Sequence, residues 1–181
     1  MRTSKISSFD FLLQLLDTYK DESEKCRRQG AYLGACVLLG SALEAGLLAM
    51  ARSYPSEVRR SKTYLQRKSR GLNKWGLFDL LKLATELGWI PSRLSLDKTA
   101  RSSRVSPHLA RSRGDLGYFA DIVREIRDMV HPGRYLRYWK GERVSRRYHK
   151  FCYTVTDQVF TSLYEKLESS IMRASVHSSA K

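Results

Sequence analysis

The chain has 181 residues, 42% of them hydrophobic, and a formal net charge of +15. This length and hydrophobic content suit one folded domain and exclude wholesale disorder. The charge disfavours an enzyme of neutral metabolites and favours an anionic partner. Eight Lys or Arg accompany one acid between residues 52 and 74, and thirteen accompany five acids between residues 101 and 150. Such clustering is typical of a binding face.

Cysteine content and hydropathy set further limits. The three cysteines are an odd number without Cys-X-X-Cys spacing, so we predict neither a zinc site nor a disulfide framework, and we expect no metal or cofactor. The most apolar stretch, residues 31–51, contains Glu44 and barely reaches the roughly 20 residues of a membrane span. We therefore expect a soluble protein of a reducing compartment, the cytoplasm, that does not enter a membrane.

The first half of the chain predicts three helices. Apolar residues at three- and four-residue steps indicate a first helix over residues 8–28, capped by Ser7 or Ser8 and stopped by Gly30. A second helix over residues 31–53 is apolar on nearly all sides, which predicts the central, most buried position. After a basic stretch that we interpret as a loop or short helix, the third helix lies within residues 75–90.

The second half begins with a long polar, basic loop over residues 92–114. A fourth helix starts at Asp115 and is closed by Pro132-Gly133, and its predicted core face consists of Leu116, Phe119, Ile122, Val123, Ile126 and Val130. A fifth helix runs from about residue 148 to 174. We predict an all-α bundle of four to five helices with long basic loops, forming one domain over residues 1–175 with a frayed tail at 176–181.

Polar residues gather at the end of the fourth helix. Helical spacing places Arg124, Arg127, Asp128 and His131 on one flank, about a turn apart. His131 precedes Pro132, so we expect it to be the last helical residue or the cap. A histidine that titrates near neutrality suits acid–base chemistry, and a neighbouring arginine suits a phosphate. The alternative is a helix cap with surface ion pairs.

Three further residues extend this hypothesis. Arg134 and Tyr135 add a cation and a hydroxyl just past the turn. Glu44 is the sole charge of the apolar second helix, and a buried carboxylate needs a partner, so we predict an ion pair with Arg127 or Arg124. The pair either fixes helix register or orients the arginine for an incoming phosphate.

Two stretches, GACVLLGSALEAGLLAMA at 34–51 and LGYFADIVREIRDMVHPGRYLR at 116–137, resemble the HEPN superfamily in order and character. The resemblance covers most of the chain and implies an all-α bundle that dimerises. Many HEPN domains are metal-independent ribonucleases of toxin–antitoxin, CRISPR-linked and other antiviral systems, and others bind RNA or nucleotides without cleaving them. Their motif is an arginine, usually followed by Asn, Asp or His, with a histidine a few residues later.

The resemblance implies roles for the polar residues. His131 would move a proton at the ribose 2′-hydroxyl or the leaving oxygen, and an arginine would hold the scissile phosphate, giving a 2′,3′-cyclic phosphate. Six residues lie between Arg124 and His131, which fits the spacing of the family motif. Arg127 instead has the polar neighbour of the motif, Asp128. Both therefore stay candidates. Tyr135 is similar to the modified tyrosine of some HEPN toxins, although it lies further from the histidine.

RNA contacts are predicted from basic residues elsewhere. They are the loop residues Arg101, Arg104, Arg111 and Arg113, and Arg146, Arg147 and His149 of the segment RRYHKF. The alternative for His149 is packing at the start of the fifth helix. The sequence thus leaves three functions open: a homodimeric HEPN ribonuclease, with an antitoxin or defence-complex partner; a non-catalytic HEPN module that binds RNA, nucleotide or protein; and a helical interaction protein that targets acidic surfaces.

Overall fold

The computed structural model describes residues 7–90, 123, 127, 130–133 and 143–178, without the side chains of 171 and 173–178. Over these residues the secondary structure is helical and contains no strand. The predicted all-α class is confirmed. The elements are α1 (Ser8–Arg28), α2 (Tyr32–Ser53), α3 (Pro55–Arg60), α4 (Lys62–Arg67), a 3-10 turn (Leu72–Lys74), α5 (Leu77–Glu86) and α6 (Arg146–Ser178).

Helix α1 begins and ends where the sequence predicts. The Ser7 hydroxyl accepts a hydrogen bond from the backbone N–H of Asp10 at 3.1 Å, which satisfies one of the free donors of the first turn. Gly30 has a φ of 73°, a left-handed conformation that glycine adopts without steric cost, and it lets the chain turn directly into α2.

Helix α2 is the centre of the fold, as predicted. It packs against α1, α5 and α6, and buried residues recur along its whole length. A Cβ at Gly46 would lie 2.8 Å from the Phe160 ring and 3.0 Å from Leu16, so the missing side chain lets α1 and α6 approach closely. Helix α2 is long and apolar enough to cross a membrane by length and composition alone, but most of that apolar stretch is buried inside the bundle.

The basic stretch after α2 forms two short helices and a 3-10 turn. Pro55 is the first residue of α3, where its missing N–H breaks no helical hydrogen bond. The Ser61 hydroxyl then caps α4 by accepting a hydrogen bond from the backbone N–H of Tyr64 at 3.0 Å. Trp75 and Trp89 flank α5 and are 3% and 2% exposed, so both belong to the core.

The end of the predicted fourth helix differs from expectation. Val123 is helical and fully buried, as predicted, but Val130 is 51% exposed and lies in a 3-10 turn, so its predicted core position is wrong. His131 lies in a bend and is not helical. Pro132 and Gly133 are themselves helical, so they do not close the helix as predicted. The interruption is the bend at His131, and Pro132 can follow it because proline is tolerated at the first position of a helix. The loop at 92–114 and most of the predicted fourth helix lie outside the described residues.

Helix α6 is longer than predicted. It begins two residues before the predicted start at residue 148 and ends four residues after residue 174, at Ser178. Residues 176–178, predicted as part of a frayed tail, are therefore helical. Its buried face follows a helical period through Cys152, Val155, Val159 and Leu163, and this face packs on α2.

Candidate functional site

An ion pair joins α2 to the helical residue Arg127. Arg127 Nη1 donates a hydrogen bond to Glu44 Oε2, across 83 residues of sequence. The two side chains are 30% and 28% exposed. The predicted pairing of Glu44 is confirmed, with Arg127 as its partner. Glu44 is half-buried, however, whereas the sequence suggested a fully buried carboxylate.

Gly40 gives Arg127 a second point of contact. It lies four residues before Glu44 on α2, on the same helix face. A Cβ at Gly40 would lie 3.1 Å from both Cβ and Cδ of Arg127, which is tighter than an ordinary contact. The aliphatic part of the arginine therefore lies on glycine backbone while its guanidinium meets Glu44. The sequence analysis did not single out Gly40; its position one turn before the lone acid is the signal that could have identified it.

His131 lies four residues after Arg127, and its side chain is exposed. The neighbouring Val130, Pro132 and Gly133 are exposed as well, so this bend faces solvent. A neutral imidazole accepts a proton and an imidazolium donates one, and a guanidinium binds phosphate oxygens. This part of the chain therefore combines an accessible acid–base group with an arginine held at two points.

Several predicted site residues lie outside the described residues, and their roles stay predictions. They are Arg124, Asp128, Arg134 and Tyr135 near the bend, and Arg101, Arg104, Arg111 and Arg113 in the basic loop.

The start of α6 exposes Arg146 and Arg147 but not His149. The His149 side chain is 5% exposed, and its ring centroid lies 6.4 Å from that of Tyr32 and 6.3 Å from that of Tyr153. Burial lowers the pKa of His149, and the nearby Arg27 adds to this effect. These observations favour the packing alternative for His149. The accessible aromatic group of this cluster is Tyr153, 51% exposed, which sequence reasoning did not single out.

Metal and thiol chemistry find little support in the part of the chain that the structure describes. Within it, no three His, Cys, Asp or Glu side chains are grouped so that they could hold a metal ion. Cys36 and Cys152 are fully buried beside each other, and burial raises the pKa of the Cys152 thiol well above its usual value. A buried, protonated thiol is a poor nucleophile.

No family model matches the chain, and no characterised protein or solved structure is detectably similar to it. The HEPN resemblance therefore rests on residues 34–51 and 116–137 alone.

Proposed function

We propose that this protein is a HEPN-like, metal-independent endoribonuclease that acts as a cytoplasmic homodimer. The observation that carries the proposal is the combination of Arg127, held by Glu44 and Gly40, with the exposed His131 four residues later. A net charge of +15 supports RNA as the substrate, because phosphate contacts from dispersed cations supply most of the affinity of sequence-independent binding.

The chemistry needs only these two groups and the substrate. His131 accepts the proton of a ribose 2′-hydroxyl, and the 2′-oxygen attacks the adjacent phosphorus. The bond from phosphorus to the 5′-oxygen breaks, and that oxygen takes up a proton from an imidazolium. The products are a 2′,3′-cyclic phosphate and a 5′-hydroxyl. Arg127 stabilises the negative charge that develops on the phosphate oxygens, so the mechanism requires no metal.

The contacts of Glu44 favour Arg127 over Arg124 as the phosphate ligand. A guanidinium has five N–H donors, and the hydrogen bond to Glu44 uses the Nη1 end. The carboxylate can thus fix the orientation of the side chain while donors remain for a phosphate. In this proposal Glu44 is a positioning residue and does not itself touch the substrate.

Assembly and setting follow from the family resemblance. Homodimerisation would bring two copies of the Arg127–His131 region together across a cleft, so that one RNA strand meets both. Such an enzyme would serve as a toxin or an antiviral defence effector, with an antitoxin or a defence-complex subunit as its partner. The exposure of the bend at His131 leaves this surface open to either contact.

One observation favours a second function, a non-catalytic HEPN module that binds RNA, nucleotide or a partner protein. Glu44 neutralises Arg127, as the acid of a purely structural ion pair does. In that case the pair fixes the register of two helices, and the basic residues alone bind the ligand.

One experiment distinguishes the ribonuclease from the non-catalytic binding module. Purified protein is incubated with mixed RNA in the presence and absence of EDTA, and the ends of the fragments are determined. The ribonuclease proposal expects cleavage that EDTA does not inhibit, with 2′,3′-cyclic phosphate and 5′-hydroxyl ends. Cleavage that requires added magnesium, or binding without cleavage, would contradict it, and the second result would support the binding module.

A further inference from the structure

A groove of about 490 Å³ runs between α4 and α5, well away in sequence from His131. Phe78 and Leu81 of α5 form apolar parts of its wall, and Lys62 and Lys82 lie at its two sides. Phe78 is 48% exposed, so an aromatic side chain in the wall of this groove is accessible to solvent. We call this feature the α4–α5 groove.

The walls of the groove are fixed to each other by Glu86. Its carboxylate accepts hydrogen bonds from the backbone N–H of Thr63 at 2.9 Å and from the Thr63 hydroxyl at 2.7 Å, and a further one from the Lys62 N–H. Desolvation raises the pKa of Glu86, but these hydrogen bonds outweigh it and hold the pKa below its usual value. The single carboxylate in the wall is therefore already engaged by the first residues of α4.

The segment that contains the groove, residues 52–90, is strongly basic. Seven of its cations are exposed: Arg59, Arg60, Lys62, Lys68, Arg70, Lys74 and Lys82. Lys62 and Lys82 among them line the groove. The acids of residues 52–90 are three in number, and each has a structural partner: Glu57 pairs with Lys166, Asp79 with Arg67, and Glu86 binds the start of α4. Nine Lys or Arg still outnumber these three acids, so residues 52–90 carry a formal net charge of +6.

We infer that the α4–α5 groove binds single-stranded RNA, with a base stacked on Phe78 and the flanking phosphates bound by Lys62 and Lys82. An aromatic ring beside lysines in a basic groove is the arrangement that proteins use for sequence-tolerant binding of single strands. Charge complementarity selects a polyanion over a helical peptide as the occupant. The inference rests on the proposed function only in taking RNA as the partner, and it places a second contact surface outside the cleavage site.

The test is binding of a short 2′-O-methyl single-stranded RNA, which cannot be cleaved through a 2′-hydroxyl, so the result does not depend on catalysis. Phe78→Leu removes the ring but keeps apolar bulk, and we expect about tenfold weaker binding, within the range of base–aromatic stacking. Phe78→Trp should bind at least as tightly as the wild type. Leu65→Ala, an exposed position on α4, is the matched control and should change little.

The lysines are tested by the salt dependence of binding. Each phosphate contact to a single strand contributes about 0.7 to the slope of log K against log salt, so Lys62→Gln with Lys82→Gln should reduce the slope by about 1.4. Lys20→Gln with Lys25→Gln removes the same charge from α1 and should leave the slope nearly unchanged. Equal losses in the two double variants, or unaltered binding by Phe78→Leu in a folded protein, would overturn the groove as an RNA site. Either result would leave the cleavage proposal standing, because that proposal is tested by fragment formation.

Discussion

Glu44 and Glu57 each pair with a cation far along the chain, and the two ion pairs are similarly exposed, at 28% and 30% for Glu44–Arg127 and 35% and 29% for Glu57–Lys166. Their surroundings differ. Glu57 Oε2 accepts a hydrogen bond from Trp89 Nε1 at 2.9 Å, and its Oε1 accepts one from Lys166 Nζ at 3.1 Å. Both oxygens are therefore used to join α3, the segment after α5, and α6.

The Glu44 junction joins α2 to the helical residue Arg127. Within the part of the chain that the structure describes, the Glu44 carboxylate accepts a hydrogen bond from Arg127, and the exposed His131 follows four residues later. Similar burial therefore occurs in two different surroundings. The Glu57 junction binds three elements together, whereas the Glu44 junction fixes one arginine that, in our proposal, binds a phosphate.

The largest expected difference between the two junctions is seen when their cations are replaced. Arg127→Ala is expected to lower RNA cleavage about 100- to 1000-fold, the cost of removing one group that stabilises charge in a transition state. Lys166→Ala should leave cleavage within about twofold and lower the free energy of unfolding by about 1 kcal/mol, since a partly exposed ion pair contributes little. Cleavage rates and urea unfolding curves measure both effects. Equal cleavage by the two variants would remove the distinction between the junctions.

Replacement of the two acids should give a smaller effect in the same direction. Glu44→Gln keeps a hydrogen-bond acceptor but loses the charge that orients Arg127, so we expect roughly a tenfold loss of cleavage through lost positioning. Glu57→Gln should lower stability and leave cleavage unchanged. If Glu44→Gln cleaves at the wild-type rate but is less stable, Glu44 serves only the register of α2, and the positioning role is contradicted.

Two glycines of α2 test how closely the position of Arg127 controls cleavage. A Cβ at Gly40 would lie 3.1 Å from Arg127, whereas a Cβ at Gly34 would make an ordinary contact, 3.4 Å from Cys26 Sγ. Gly40→Ala should shift Arg127 by a few tenths of an ångström and reduce cleavage roughly fivefold, since a displacement of about 1 Å can cost about 100-fold. Gly34→Ala should leave cleavage unchanged and raise stability by up to about 1 kcal/mol. Cleavage assays with thermal melts distinguish the two.

The smallest expected effect is on the pH dependence of stability. Desolvation raises the pKa of Glu57, but hydrogen bonds from Trp89 and Lys166 outweigh it and hold the pKa below its usual value of 4.5. The unfolded chain therefore binds the proton more readily, and the stability contributed by Glu57 is present above about pH 4.5 and is lost as pH falls through the lower folded-state pKa. Melting temperatures between neutral and acid pH should fall less steeply for Glu57→Gln. An identical or steeper acid limb would contradict this role.

Much of the fold could be predicted from local signals. Helix α1 has a serine cap and a stopping glycine, and α2 has an unbroken apolar sequence that places it at the centre. The Glu44–Arg127 pair was predicted as one of two alternatives because a lone acid in an apolar helix requires a cation. Which of the two arginines faces Glu44 depends on how their helix is rotated about its own axis relative to α2. Sequence spacing does not give that rotation.

The errors have physical causes as well. Val130 continued the apolar period, but it lies in a 3-10 turn beside the bend at His131 and is 51% exposed. His149 looked like an RNA ligand because its neighbours are basic, yet the period of α6 turns its ring between Tyr32 and Tyr153. The α4–α5 groove depends on how two helices approach each other, and the basic sequence around Lys62 predicted only its charge.

The catalytic role of His131 is tested most directly by cleavage of RNA in EDTA by His131→Ala, compared with Val130→Ala at a neighbouring exposed position. We expect His131→Ala to lose at least about 100-fold in rate, the usual contribution of a general acid–base group, while it folds and binds 2′-O-methyl RNA as the wild type does. Val130→Ala should cleave normally. Cleavage by His131→Ala at the wild-type rate would contradict the assignment of the bend at the end of the Arg127 segment as the catalytic site.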